Sequence, residues 1–181
     1  MHEEIIVSGF GGQGALFAGQ LLTYTGMDAG YQVTWIPSYG PEMRGGTAHC
    51  TVILSDDPIG SPIIRRPTLA IVMNPPSMEK YEALVKPGGV LVVNSTLVRE
   101  KSKRDDLGTV YVPANDLATE LGNVKMANVV LLGALLATRP ILSVEALKQA
   151  MEDHIPERRK HIIEPNKRAL DRGIEYAQKV E

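Results

Sequence analysis

Along the first two thirds of the chain, short unbroken apolar runs alternate with turn residues and with helix-spaced apolar positions; the last third is almost wholly helix-patterned. Ile5-Ile6-Val7, Leu69-Ala70-Ile71-Val72-Met73 and Gly89-Val90-Leu91-Val92-Val93 lack polar interruptions, the pattern of strands covered on both faces, as in parallel sheets. Residues 32–36 form a β-branched and aromatic run, and residues 109–112 a last one. The segment 47–54 differs, because Ala48, Cys50, Val52 and Leu54 fall on one face and Thr47, His49, Thr51 and Ile53 on the other. Alternation of that kind marks a strand with one partly wet face, so an antiparallel return is expected there.

Helical spacing begins after Gly14 with Ala18, Leu21, Leu22 and Ala29, and Gly26 and Gly30 supply the stop. Residues 78–85 read as the helix joining the fourth and fifth strands. The segment 126–137 is apolar nearly all round, which predicts a buried helix. Ser143 caps a helix over residues 144–153, and a final helix starts at about Pro165. Strands alternating with helices predict an α/β fold: a three-layer, Rossmann-like sandwich with a mostly parallel sheet and one antiparallel strand. At 181 residues the chain makes one domain, 1–181, with a substantial core.

Composition narrows the chemistry. Two Phe and one Trp leave an aliphatic core, and a net charge of -2 gives no general attraction to nucleic acid or anionic membrane. Any anion site must therefore be local. Cys50 is the single cysteine, so the chain can form no internal disulfide and hold no thiolate-ligated cluster; a reducing cytoplasm fits. The acidic start Met1-His2-Glu3-Glu4 does not resemble a signal peptide, and the longest apolar segment, 129–137, falls short of the roughly 20 residues that cross a bilayer.

Two loops carry the candidate chemistry. Gly9-Phe10-Gly11-Gly12-Gln13-Gly14 satisfies G-x-G-x-x-G directly after a strand and at the head of a helix. There glycine permits the turn and close approach of a pyrophosphate, while free amides and the helix dipole stabilise the anion. The same glycines would equally serve tight strand–helix packing without a ligand. NAD binding would also call for an acid at the end of the second strand, where this chain has Trp35-Ile36-Pro37-Ser38, and Asp28 belongs to the preceding helix. A P-loop is excluded because Ala15 and Leu16 follow Gly14.

The second loop is Ser38-Tyr39-Gly40-Pro41-Glu42-Met43-Arg44-Gly45-Gly46. If the first two strands are parallel neighbours, their carboxyl ends bring both loops to the sheet edge where α/β folds bind ligands. Arg44 could clamp a phosphate or carboxylate, Ser38 and Tyr39 could donate hydrogen bonds, and Gly40, Gly45 and Gly46 could admit backbone closely. Arg44 paired with Glu42, or facing another subunit, is the alternative. His49 and Cys50 are strand neighbours whose side chains diverge, so neither a nucleophilic pair nor a metal site is expected. Asn74 and Asn94-Ser95-Thr96 read as caps and turns. Arg158-Arg159-Lys160-His161, without interleaved aromatics, reads as a solvated helix face.

The two loops in this order, with the apolar helix around Asn128 and Gly133, closely resemble the gamma subunit of 2-oxoacid:ferredoxin oxidoreductases over essentially the whole chain. That resemblance implies a part in coenzyme-A-dependent oxidative decarboxylation of a 2-oxo acid to acyl-CoA and CO2, with electrons passing to ferredoxin. It also implies alpha, beta and delta-type partner subunits, with thiamine diphosphate, Mg and the iron-sulfur clusters on those other chains. For this chain it implies the coenzyme A side of the reaction, with Gly9, Phe10, Gly11, Gly12, Gln13, Gly14 and Arg44 placed to receive phosphates. No catalytic or metal-binding residue is assigned to it. A homodimer through the 38–46 edge or the C-terminal helices is a further arrangement. A stand-alone NAD or flavin domain and a non-catalytic assembly module are the competing functions.

Overall fold

The computed structural model describes residues 1–38 and 47–180. Six strands form one sheet: β1 (His2–Phe10), β2 (Gln32–Ser38), β3 (Thr47–Ser55), β4 (Leu69–Val72), β5 (Val90–Asn94) and β6 (Gly108–Val112), in the spatial order β2-β3-β1-β4-β5-β6. β1, β4, β5 and β6 pair in parallel, whereas β3 runs antiparallel to both β1 and β2. The alternating segment is therefore the reversed strand. It also separates β1 from β2, so these two are not neighbours. They still point the same way, because two reversals cancel, and their carboxyl ends reach the same sheet edge.

The two faces of the sheet are unequally covered. On one, Ile5, Val7, Cys50, Val52, Leu54, Ile71 and Val92 pack under α1 (Ala15–Asp28), α3 (Ala114–Glu120), α4 (Ala127–Thr138), α5 (Val144–His154) and α6 (Ile163–Val180). On the other, Ile6, Val72, Leu91 and Val93 pack with Met78 and Tyr81 of α2 (Pro75–Tyr81), with Val85 and Val98, and with the partly buried Ile64, Leu107 and Tyr111. Continuous apolar runs in β4 and β5 serve both layers at once, as their sequence pattern requires.

Several boundaries differ from those the sequence suggests, each for a local reason. α2 begins at Pro75 rather than at residue 78, because proline is tolerated in a first turn and the Asn74 side chain accepts from the Ser77 amide at 2.9 Å. It ends at Tyr81, followed by a 3-10 turn over Glu82–Leu84. Gly26 is not a stop: it lies inside α1 and faces Leu54 and Val33, while Gly30, at φ 84°, ends the turn beyond the helix. α6 starts at Ile163, and α3 is a helix of seven residues, too short for its periodicity to stand out. Ser143 caps α5 as expected, accepting from the Ala146 amide at 3.0 Å.

α4 is buried along nearly all its length and crosses α6 at backbone contact. A Cβ on Gly133 would meet the Leu170 carbonyl oxygen, and one on Gly173 would meet that of Val130. The reciprocal arrangement seats the innermost helix beneath the outer one. It also fixes the amino end of α4, which matters for the site.

Candidate nucleotide-binding site

β1 passes into α1 through residues 11–14, and the loop braces itself. The Gln13 amide donates to the Phe10 carbonyl at 3.1 Å, and the Phe10 amide donates to Gln13 Oε1 at 2.6 Å. Asn74 Nδ2, at the end of β4, donates to the same oxygen at 3.4 Å. A Cβ on Gly9 would lie 2.7 Å from Gln13 Oε1 and 3.0 Å from Met73 Cβ, so glycine there leaves this brace undisturbed. Asn128, buried at the amino end of α4, donates through Nδ2 to the Gly14 carbonyl at 2.9 Å. The loop is thus held from three elements before any ligand arrives.

Gly12 and Gly14 take φ of 91° and 80°, a region open to glycine but costly for other residues. Gly14 is the N-cap of α1 and has no side chain to cap it. The amides of the first turn therefore point outward with the positive end of the helix dipole, an arrangement suited to an anion.

Clefts open on both sides of this loop. One, of ≈ 370 Å³, lies between Gly12, Gly14, Lys125, Asn128, Arg159 and His161. The other, of ≈ 610 Å³, lies over the start of α1 and is walled by Phe10, Leu16, Gln20, Trp35 and Ala48. Phe17 and Arg159 border both, and the Arg159 guanidinium carbon sits 5.7 Å from the centroid of the Phe17 ring. Such a cation over a ring face is held by the ring quadrupole.

The structure gathers Gly9, Phe10, Gly11, Gly12, Gln13 and Gly14 into this one turn. Ser38 ends β2 at the same sheet edge, paired with His49, while Phe10 pairs with Thr47. With β3 between them, the ends of β1 and β2 stand two strand spacings apart, about 10 Å. Tyr39, Gly40, Arg44, Gly45 and Gly46 lie outside the described residues.

His49 and Cys50 do face opposite ways. Cys50 is fully buried beneath α1, donates to the Ala15 carbonyl at 3.4 Å, and burial pushes its thiol up to about 12. A thiol so protonated is no nucleophile at neutral pH. His49 lies half-buried beside Tyr81, ring centroids 5.6 Å apart; burial, then the Lys80 charge, lowers its pKa below the usual imidazole value. Asn74 and Asn94 are structural: Asn94 Nδ2 donates to Asn115 Oδ1 at 2.9 Å and to the Met73 carbonyl at 3.3 Å. Among the described residues no group of His, Cys, Asp and Glu could hold a metal ion, and no helix is long and apolar enough to cross a membrane.

Arg159 and Lys125 are the site residues that sequence reasoning misses. The basic run is exposed, as expected, but on a 3-10 helix over Glu157–Ile162, where Arg159 and His161 line the cleft beside the glycine loop. Lys125 precedes α4 by two positions. Nothing in the sequence links positions 14, 125 and 159; the packing of α4 and α5 against α1, and of α6 against α4, does so.

A family model for pyruvate ferredoxin/flavodoxin oxidoreductase matches residues 4–176. The chain belongs to that family. It is 34% identical over 177 residues to the ketoisovalerate oxidoreductase subunit VorA of Methanothermobacter marburgensis, covering 97% of this chain and 37% of the relative. The chain therefore spans little more than a third of that longer protein. Against the 2-oxoglutarate synthase subunit KorC of Methanocaldococcus jannaschii the identity is 34% over 185 residues, covering 99% of this chain and 96% of the relative. Among solved structures, the gamma subunit of a keto/oxoacid ferredoxin oxidoreductase from Geobacter sulfurreducens superposes with a TM-score of 0.86 at 32% identity, over 99% of this chain and 98% of that one. The fold described above is thus shared with that gamma subunit over essentially the whole chain.

Proposed function

We propose that this chain is the gamma-type subunit of a 2-oxoacid:ferredoxin oxidoreductase and that it supplies the coenzyme A side of a site completed by alpha, beta and delta-type subunits. The observation that carries this reading is the uncapped α1 terminus behind a pre-braced glycine loop, flanked by two clefts. It is a binding surface without a nucleophile of its own among the described residues. The complex would convert a 2-oxo acid and coenzyme A to acyl-CoA and CO2, the electron pair leaving through iron-sulfur centres to ferredoxin. Thiamine diphosphate and Mg on other subunits supply the carbanion chemistry when bound.

On this chain the work is positional. The first-turn amides of α1 and Arg44 would receive the pyrophosphate, with Ser38 at the facing strand end, and so hold the thiol-bearing arm toward the neighbouring subunit. The proposal covers 2-oxo acids as a class, since relatives of equal identity bear names for ketoisovalerate and for 2-oxoglutarate. A reducing cytoplasm is its compartment. A stand-alone NAD domain is disfavoured because β2 ends in Trp35-Ile36-Pro37-Ser38 without the ribose-binding acid.

Purification of the tagged chain from its native host should bring down thiamine-binding and iron-sulfur subunits. An isolated chain that oxidises substrates with NAD would overturn the proposal, and so would a chain recovered alone under conditions that preserve such complexes. In the assembled complex, Arg44→Ala should raise the KM for coenzyme A about tenfold or more while leaving that for the oxo acid unchanged.

A further inference from the structure

The sparsely covered face of the sheet is closed over β4 and β5 but not over β2 and β3. On that face α2 lies against β1 and β4, and it reaches β3 through Tyr81, whose ring centroid is 5.6 Å from that of His49. The helix packed on β2 is α1, which meets Val33 and Trp35 from the opposite side. Alternation therefore turns Gln32, Thr34, Ile36 and Ser38 to the sparse face. Pairing across β2, β3 and β1 sets them in rows: Thr34-Ile53-Glu4, Ile36-Thr51-Ile6 and Ser38-His49-Ser8. The middle row starts at Ile6, 4% exposed, and ends at Ile36, 42% exposed. Among the described residues, the apolar layer is thus still open at the edge strand. β2 and β3, seven and nine residues long, contain no Asp, Glu, Lys or Arg in a chain that is 22% charged. A sheet face left to water alternates to polar residues, and an exposed edge strand is usually guarded by charge, lysine above all. At the border stands Lys80, exposed, its ammonium 5.1 Å from the Tyr81 ring centroid and in no ion pair among the described residues. Glu4, the acid within the rows, is held by Lys86 at 2.7 Å.

Resting on the reading that this chain works inside a multi-subunit complex, we propose that the β2–β3 face, bordered by Tyr81 and Lys80, is where a neighbouring subunit docks, covering Ile36 with apolar side chains and setting a carboxylate against Lys80. Two strands of this length present on the order of 200 Å², about a quarter of what one partner buries in a stable interface. The occupant is therefore a folded neighbour that continues over α2 and the Ser38 end of β2, not a short peptide. A second copy, paired about a two-fold axis through this face, would bring the same uncharged rows and the same lysine, with nothing complementary to Lys80. The length of a relative points the same way. In VorA the matching unit fills little more than a third of the chain, so a unit of this kind there has a longer stretch of polypeptide tethered beside it. The occupant here is the separate subunit that stands for that remainder.

The test uses the complex purified from the native host and the isolated full chain. Cys50 is fully buried, so Ile36→Cys gives this chain one accessible thiol. A maleimide, read by mass on this chain, should label it freely in the isolated chain and about tenfold or more slowly in the complex, where the neighbour excludes water. Ile36→Glu should cut recovery of the partner subunits by about tenfold or more, because it buries an unpaired charge in the interface. The melting temperature of the isolated chain should stay the same, since Ile36 is exposed there. Lys80→Glu should cut recovery less, and Lys80→Arg should keep it. Met27→Glu, at a 55% exposed position near the end of α1, should leave it unchanged. Equal labelling in both states, or full recovery with Ile36→Glu, overturns the docking face. Slow labelling of the isolated chain at every dilution assigns the cover to the same chain, and labelling that slows as its concentration rises assigns it to a second copy; both overturn the proposal. A wild-type chain recovered without partners overturns the complex reading as well, whereas the other results leave that reading standing.

Discussion

The glycine loop and the crossing of α4 with α6 both depend on glycine, but for opposite reasons. At the crossing a side chain is excluded by something already present, since a Cβ on Gly133 or Gly173 would run into a backbone carbonyl of the partner helix. At Gly12 a Cβ would meet nothing within 4 Å, and what demands glycine is the backbone at φ 91°. The crossing glycines yield their space to backbone, whereas Gly12 has open space beside it. The difference teaches that glycine can be required by its own backbone angle with open space beside it, as at Gly12, or by a neighbouring carbonyl that leaves no room for a Cβ, as at Gly133 and Gly173.

The largest expected effect tests the packing side. Gly173→Ala should destabilise the fold by about 3 kcal/mol or more, because main chain cannot step aside as a side chain can; thermal unfolding should fall by roughly 10 °C. Gly14→Ala should cost less, about 1–2 kcal/mol for a left-handed residue, with a further cost from displacing Asn128. It should nevertheless impair coenzyme A use more than Gly173→Ala does at a temperature where both are folded. Equal losses of stability, or a Gly14→Ala complex with unaltered coenzyme A kinetics, would break the distinction between the two regions.

Gly19 offers an intermediate case, where a Cβ would meet the Cys50 sulfur rather than backbone. The native chain should react with thiol reagents at a small fraction of the unfolded rate. Because the folded thiol is raised from 9.0 to about 12, the unfolded chain ionises first, so this group's contribution to stability should be fully present below pH 9 and decline as pH climbs toward 12. Cys50→Ala should remove that decline. The smallest effect concerns the neighbour on the opposite face. His49 has a lowered pKa, so the unfolded chain takes up its proton first and stability should decrease as pH drops below 6.5. Urea unfolding across that range should show a flatter slope for His49→Gln.

The elements legible in the sequence are those whose pattern is fixed by burial. β4 and β5 are apolar on both faces and are visible as unbroken runs; β3 alternates and is visibly the strand that reverses. The place of β3 between β1 and β2 is not legible, because pairing partners leave no mark on a single strand's pattern. α2 and α3 have blurred or missing boundaries because seven residues make fewer than two full periods. The glycine loop is readable because its chemistry is contiguous, six residues at the junction of strand and helix. Arg159 is not, since its partners at Gly14 and Lys125 lie in other elements and its own neighbours look like ordinary surface. The close approach of α4 and α6 is likewise hidden: Gly133 and Gly173 are single residues in separate helices, and neither sits in a turn.

Trp35 is the chain's one tryptophan, and it lines the wider cleft but not the cationic one. Selective excitation of its indole therefore gives an unlabelled optical window on one side of the glycine loop alone. A ligand part that enters beside Phe10 and Leu16 should alter that emission, while a phosphate seated only against Arg159 and Lys125 should leave it unchanged. The two halves of a bound molecule can thus be watched arriving separately, through a fluorophore the protein already carries.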